Sequence, residues 1–205
     1  RAAGRGPDRF TQLSPSRHAD ATQRNNNSDM KLLIAIHRLD LQLLARIFSQ
    51  GERRMVRPLA RALSRSGDGY LHALIPLLLW LLSVPRAGDF AATLALALVL
   101  ERSLYWSLKN SLRRKRPQFA VPGFRSLITA ADQFSFPSGH SSAAFLLSTL
   151  LTLIYGGAFA IVFCWACGVA ISRVLLGVHF PGDTLAGAAM GACTALCAAH
   201  LLGLV

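Results

Sequence analysis

An all-α integral membrane bundle is the predicted fold: five transmembrane helices, or six if residues 32–48 also cross, preceded by amphipathic interfacial helices. Three observations predict it. Apolar runs cover 70–84, 90–108, 138–154, 158–176 and 184–205, most of them near the roughly 20 residues a helical span needs. Apolar residues make up 52% of the chain and charged residues only 16%, with a mean hydropathy of +0.38. A soluble bundle apolar on every helix face would be unusual. Finally, residues 31–66 carry apolar stripes at helical spacing beside arginines, the pattern of helices lying at an interface.

Residues 1–29 are polar and basic, include Asn25, Asn26 and Asn27, and show no periodicity. They read as a disordered or non-native extension, with Met30 opening the apolar pattern. Residues 30–66 form the amphipathic pair. Leu32, Ile36, Leu39, Leu43 and Ile47 make one stripe opposite Arg38, Gln42 and Arg46; Val56, Leu59 and Leu63 oppose Arg57, Arg61 and Arg65. Pro58 suits a first helical turn, and Gly67, Asp68 and Gly69 break the helix before the membrane domain at 70–205. Within the spans, His37, Arg38, Asp40 and Arg46 make a crossing at 32–48 costly. Gly187 and Gly191 form a GxxxG pair suited to close helix packing within the chain. Cys164, Cys167, Cys193 and Cys197 read as small buried hydrophobes rather than zinc ligands. Glu101 and Arg102 stand inside a span and, as adjacent residues, are expected to pair elsewhere.

The formal charge is +12, from 22 Lys and Arg against 10 Asp and Glu. Most cations flank spans, so nucleic acid is not an expected partner. Three clusters carry chemistry. Lys109 to Arg116 and Pro117 close the second apolar run. Phe136, Pro137, Ser138, Gly139 and His140 open the third, where a helix start offers free N–H groups to an anion. Ser172, Arg173, His179, Pro181 and Asp183 join the last two runs. If the five runs alternate across the bilayer, all three clusters meet on one face, opposite the short turns at 85–89 and 155–157. Two histidines, one carboxylate, Lys109, Arg116, Arg173 and a helix start then converge. Asp183 in the first turn of the last helix reaches back toward His179, and a carboxylate on one imidazole nitrogen frees the other as nucleophile or base. No metal site and no cofactor are expected, because the nearby carboxylate serves its histidine. The set fits metal-free phosphoryl transfer.

Lys109-x6-Arg116-Pro117, Pro137-Ser138-Gly139-His140 and Ser172-Arg173-x5-His179-x3-Asp183, in that order, resemble the signature of the type-2 phosphatidate phosphatase and vanadium haloperoxidase superfamily, membrane lipid phosphatase branch. The resemblance covers about residues 70–205. It implies a phosphatase in which His179 attacks phosphorus and forms a phosphohistidine, Asp183 orients His179, and His140 protonates the leaving oxygen and then activates water. It also implies that Lys109, Arg116, Ser138, Gly139 and Arg173 hold the phosphate oxygens. The implied substrate is a lipid phosphate or isoprenyl diphosphate in the bilayer, undecaprenyl diphosphate first, then phosphatidylglycerophosphate, phosphatidate or lipid A phosphate. Vanadium haloperoxidases and acid phosphatases are soluble, so the spans count against them. An inert membrane scaffold or lipid transporter would need neither both histidines nor the aspartate. Residues 118–135, with Gln118, Phe119, Phe124 and Arg125, are expected to line the head-group pocket. A bacterial inner membrane is the expected location. Outside the three phosphate-holding cations, nine cations lie on the active-site side against Arg86 on the other, which places the site toward the cytoplasm. The resemblance implies an outward-facing site for many bacterial members.

Overall fold

The computed structural model describes residues 17–130 and 132–205, and its regular elements are helices: α1 (Arg17–Gly51), α2 (Val56–Ser66), α3 (Leu71–Leu81), α4 (Ala87–Leu112), α5 (Pro117–Ala120), α6 (Gly139–Tyr155), α7 (Val162–Leu175) and α8 (Pro181–Leu201). A short 3-10 turn, Gly157–Ile161, leads into α7. Two units form, Arg1–Leu39 and Asp40–Val205. In the first, residues 1–16 of the expected extension lie outside the described residues. Residues 17–29, expected to lack regular structure, are helical in backbone, and Ile34, Ile36 and Leu39 are exposed.

In the second unit, the end of α1 packs through residues beside the apolar stripe, joined by Ile47 of the stripe itself. Asp40, Leu44 and Gly51 are buried, and Leu41 and Ile47 pack on the cluster of Leu44, Val174 and Phe180. The reason is close approach: a side chain at Gly51 would collide with the Leu175 carbonyl. Helix α2 likewise seats small residues. It buries Ala60 and Ser64 while Leu59 stays exposed. Leu63 packs at Gly168, and Trp165 Nε1 donates to Ser66 Oγ at 2.8 Å, so α2 lies along α7. Its arginines 57, 61 and 65 line a separate cleft with Arg54.

Among the described residues, three helical segments are long and apolar enough to cross a membrane: Ala87–Leu112, Gly157–Leu175 and Pro181–Leu201. Leu71–Leu81 and Gly139–Tyr155 are apolar but shorter; at 1.5 Å per residue, α6 rises only about 26 Å. Trp80, Leu82, Val99, Trp106, Ile161 and Leu185 stand exposed on the surface, which suits lipid rather than water as surrounding. The protein is an integral membrane protein. All four cysteines are free and exposed, so they sit on this outer surface and not in the interior expected for them.

The core joins α4, α6 and α8. Phe90, Leu94 and Ala97 meet Leu146, Leu147, Leu150 and Ile154, with Ala195 and Ala198 closing the layer. The GxxxG pair works within the chain. A Cβ at Gly187 would land on the Ser138 carbonyl, and one at Gly191 on the Ser142 carbonyl. Backbone contact of this kind leaves no room to relax. Gly191→Leu is therefore expected to cost at least about 1–3 kcal/mol, read as a lowered Tm in detergent; an unchanged Tm would contradict this packing.

Candidate functional site

Helix starts place the reactive groups. Ser138 caps α6, its hydroxyl accepting from Ser141 N at 3.5 Å and from Ser141 Oγ at 3.0 Å. Pro181 opens α8, and Asp183 Oδ2 accepts from Phe180 N at 2.9 Å. Ser138 N donates to Asp183 O at 3.0 Å. That bond ties the start of α6 to the start of α8, and so brings His140 near His179.

Both histidines line one cleft of about 740 Å³, a size usual for small-molecule sites. Arg102, Tyr105, Arg116, Asp132, Gly139 and Arg173 share its wall, with Asp68 and His72 from the turn before α3. Five of the eight expected residues thus reach the cleft: His140, His179, Gly139, Arg116 and Arg173. Lys109, Ser138 and Asp183 are buried behind it. The segment 118–129, expected at the head group, lines a different cleft with Gln118, Phe119, Phe124 and Arg125. From the stretch 118–135, the cleft with both histidines takes Asp132 among its lining residues.

His179 is almost fully buried. Its Nδ1 lies 3.7 Å from Asp183 Oδ2, too long for a direct hydrogen bond. Its Nε2 lies 3.3 Å from Arg116 Nη1. An arginine can only donate, so Nε2 carries the lone pair and Nδ1 the proton. Burial pushes the imidazole down to about 4; Asp183 opposes this, while Arg116 and Arg173 reinforce it. His179 is neutral at ordinary pH. Asp183 is itself shared: Arg114 Nη1 donates to its Oδ1 at 2.6 Å, while Arg114 Nη2 donates to Asp40 at 2.5 Å. Asp40 also accepts from Gly182 N at 2.7 Å.

His140 Nε2 is 2.8 Å from Asp68 Oδ1, so each histidine faces a carboxylate. Arg173 Nη1 donates to Ser64 Oγ, leaving its buried Nε without a partner. Asp132 Oδ2 accepts from Tyr105 Oη at 2.7 Å and Lys109 Nζ at 2.6 Å, and Oδ1 accepts from Arg116. Burial alone would raise the Asp132 carboxyl, but the hydrogen bonds from Lys109 and Tyr105 and the Arg116 charge hold it down to about 2.

Asp40, Ser64, Asp68, Asp132 and Arg114 were not among the expected site residues. Arg114 sat inside a basic run that looks solvated. Asp68 read as part of a helix break. Asp132 lies in a loop with no periodicity to place it. Glu101 and Arg102 correct another expectation: they pair with each other, Arg102 donating through Nε and through Nη2, the latter at 2.7 Å. Backbone directions differ between neighbours, but an arginine is long enough to fold back.

A family model described as the PAP2 superfamily matches residues 87–204. The chain is 30% identical over 133 residues to the decaprenylphosphoryl-5-phosphoribose phosphatase of Mycobacterium tuberculosis, covering 65% of this chain and 73% of that one. It is 31% identical over 121 residues to the putative undecaprenyl-diphosphatase YbjG of Escherichia coli, covering 58% and 60%. The crystal structure of Aquifex aeolicus LpxE superposes with a TM-score of 0.67 at 29% identity, over 79% of this chain and 95% of that one.

Asp132 pairs with Lys109 and Arg116, two of the cations expected to hold phosphate oxygens. Asp132→Asn keeps the shape and removes the competing charge, so inorganic phosphate and vanadate should inhibit several-fold more tightly. An inhibition constant that stays equal or rises would show that Asp132 does not compete.

Proposed function

The chain belongs to the PAP2 superfamily, and from that premise we propose that it removes the terminal phosphate of a lipid phosphate or isoprenyl diphosphate through a phosphohistidine, undecaprenyl diphosphate being the first substrate to test. The observation that carries this reading is that His140 and His179 line one cleft with Arg116 and Arg173. The lone pair on His179 Nε2 attacks phosphorus; the P–N bond forms as the P–O bond to the lipid breaks. His140 gives its proton to the leaving oxygen, then takes one from the water that attacks the phosphohistidine. Inorganic phosphate leaves and His179 is restored. Asp183 steadies the charge that develops on His179, and Asp68 serves His140 in the same way. Arg116 and Arg173, joined by Lys109 when Asp132 gives way, stabilise the oxygens as charge builds on them. Gly139 adds its helix-start N–H, and Ser138 holds that turn.

His179→Ala should lower turnover by roughly 10³-fold or more on a panel of lipid monophosphates and diphosphates in detergent with chelator, while the protein still elutes as a folded species. Substantial residual turnover would remove His179 from the nucleophile role. The pH profile of kcat/KM reports the free enzyme. With His179 held near 4, its protonation should not limit kcat/KM above about pH 5; loss of activity beginning near the ordinary imidazole value would have to come from another group.

The excess of cations at the site end supports a cytoplasmic active site in a bacterial inner membrane. Helix α8 runs away from that end, so a compartment-sensitive reporter after Val205 should report the opposite side. A cytoplasmic signal would reverse the orientation.

A further inference from the structure

Arg102 is a cation at the cleft wall to which neither the signature nor the proposed mechanism gives a task. It lies seven residues before Lys109 on α4 and lines the same cleft as His140, His179, Arg116 and Arg173. Its guanidinium is fixed twice. Glu101, fully buried, grips Nε and Nη2, and the Tyr105 ring lies 4.4 Å beneath its central carbon. A guanidinium has five N–H donors; two are spent on Glu101 and three remain. An arginine held this way loses little freedom on meeting an anion. Its charge is also costly to keep in an apolar span, and Glu101 makes the pair neutral without removing the free donors.

The direction of the cleft identifies the anion. Lys109 Nζ also lies 4.4 Å from the Tyr105 centroid, so the two cationic heads are no farther apart than twice that distance. Along α4 the backbone at Arg102 lies about 10 Å farther from the Leu112 end than at Lys109, and Leu98, one turn farther still, also lines the cleft. Along α4, Lys109, then Arg102, then the apolar Leu98 follow one another away from the Leu112 end, and Arg102 and Leu98 line the cleft that holds both histidines, Arg116 and Arg173. A terminal phosphate, a second phosphate and a lipid chain have the same order.

Resting on the phosphatase reading above, we propose that Arg102 holds the second phosphate of a lipid diphosphate and so favours diphosphates over monophosphates. When His179 attacks the terminal phosphorus, the bond from that phosphorus to the bridging oxygen breaks and its electron pair stays on the bridging oxygen. The lipid monophosphate that leaves takes its proton from His140, and Arg102 stabilises the charge growing on it. Water completes the reaction, giving lipid monophosphate and inorganic phosphate.

The test compares farnesyl diphosphate with farnesyl monophosphate, which differ only in the second phosphate. Arg102→Ala should lower the ratio of kcat/KM for diphosphate to that for monophosphate by roughly tenfold to a hundredfold, the size of losing hydrogen bonds to a charged group. Because Arg102→Ala strands the buried Glu101, the double variant Glu101→Gln with Arg102→Gln is measured beside it, and decides the matter should the single variant fail to fold. A ratio unchanged in a folded variant overturns the role of Arg102, even if both rates fall. A wild-type protein inert on both probes and on the wider lipid panel overturns the phosphatase reading itself, and this inference with it.

Discussion

Helices α6 and α8 approach so closely that the Ser138 and Ser142 carbonyls fill the space a side chain at Gly187 or Gly191 would need. This contact sets the register of two helix starts. Ser138 N then reaches Asp183 O, and the turns carrying His140 and His179 open into one cleft. Neither His140, in the first turn of α6, nor His179, in the bend before α8, is placed by its own segment alone. The short Gly139–Tyr155 helix and the longer Pro181–Leu201 helix are useful because their N-terminal ends coincide. Small residues at the crossing are what a bilayer interior favours, where packing rather than water exclusion holds helices together.

The second constraint is charge. A membrane protein with Lys109, Arg114, Arg116, Asp40, Asp132 and Asp183 near one end must pair these groups, since an unpaired buried ion costs several kcal/mol; Arg173 stands outside this pairing and donates to Ser64. The pairing divides into two networks. Behind His179, Asp40, Arg114 and Asp183 form a closed set that includes a backbone N–H; it fixes geometry. In front, Asp132 ties Lys109 and Arg116 together but is itself about a third exposed. A carboxylate in that position satisfies donors of Lys109 and Arg116. A phosphate brings more acceptor oxygens than a carboxylate and so is the better partner for the same donors.

Much of this was legible from the residues. The apolar runs, the helix starts at Pro137 to Gly139 and at Pro181, and the convergence of both histidines follow from local rules: span length, capping, and alternation of helix ends. What was not legible is long-range pairing. Asp40 and Arg114 are 74 residues apart, and nothing in either neighbourhood marks one for the other. The face of α1 and of α2 that packs on the rest of the chain was not legible for a related reason. Periodicity locates the apolar stripe, yet the seated face follows Gly51, Ala60 and Ser64, because close backbone approach to α7 needs small side chains. Lys109 shows the same limit within the signature: its spacing to Arg116 is readable, but its withdrawal behind Tyr105 and Asp132 is set by a loop without pattern.

The gap between His179 and Asp183 bears on how the proposed nucleophile would work. At 3.7 Å, with Arg114 drawing on the same carboxylate, Asp183 opposes but does not overcome the lowering that burial imposes on the resting imidazole. A neutral, weakly basic histidine keeps its lone pair available without first losing a proton. Once a P–N bond begins to form, the ring becomes cationic and the attraction to Asp183 grows, in a site dry enough for that attraction to be strong. In the proposed mechanism the stabilisation would then fall mainly on the transition state and the phosphohistidine rather than on the resting imidazole. A shorter resting bond would have strengthened the ground state along with the transition state; the grip of Arg114 on Asp183 avoids that.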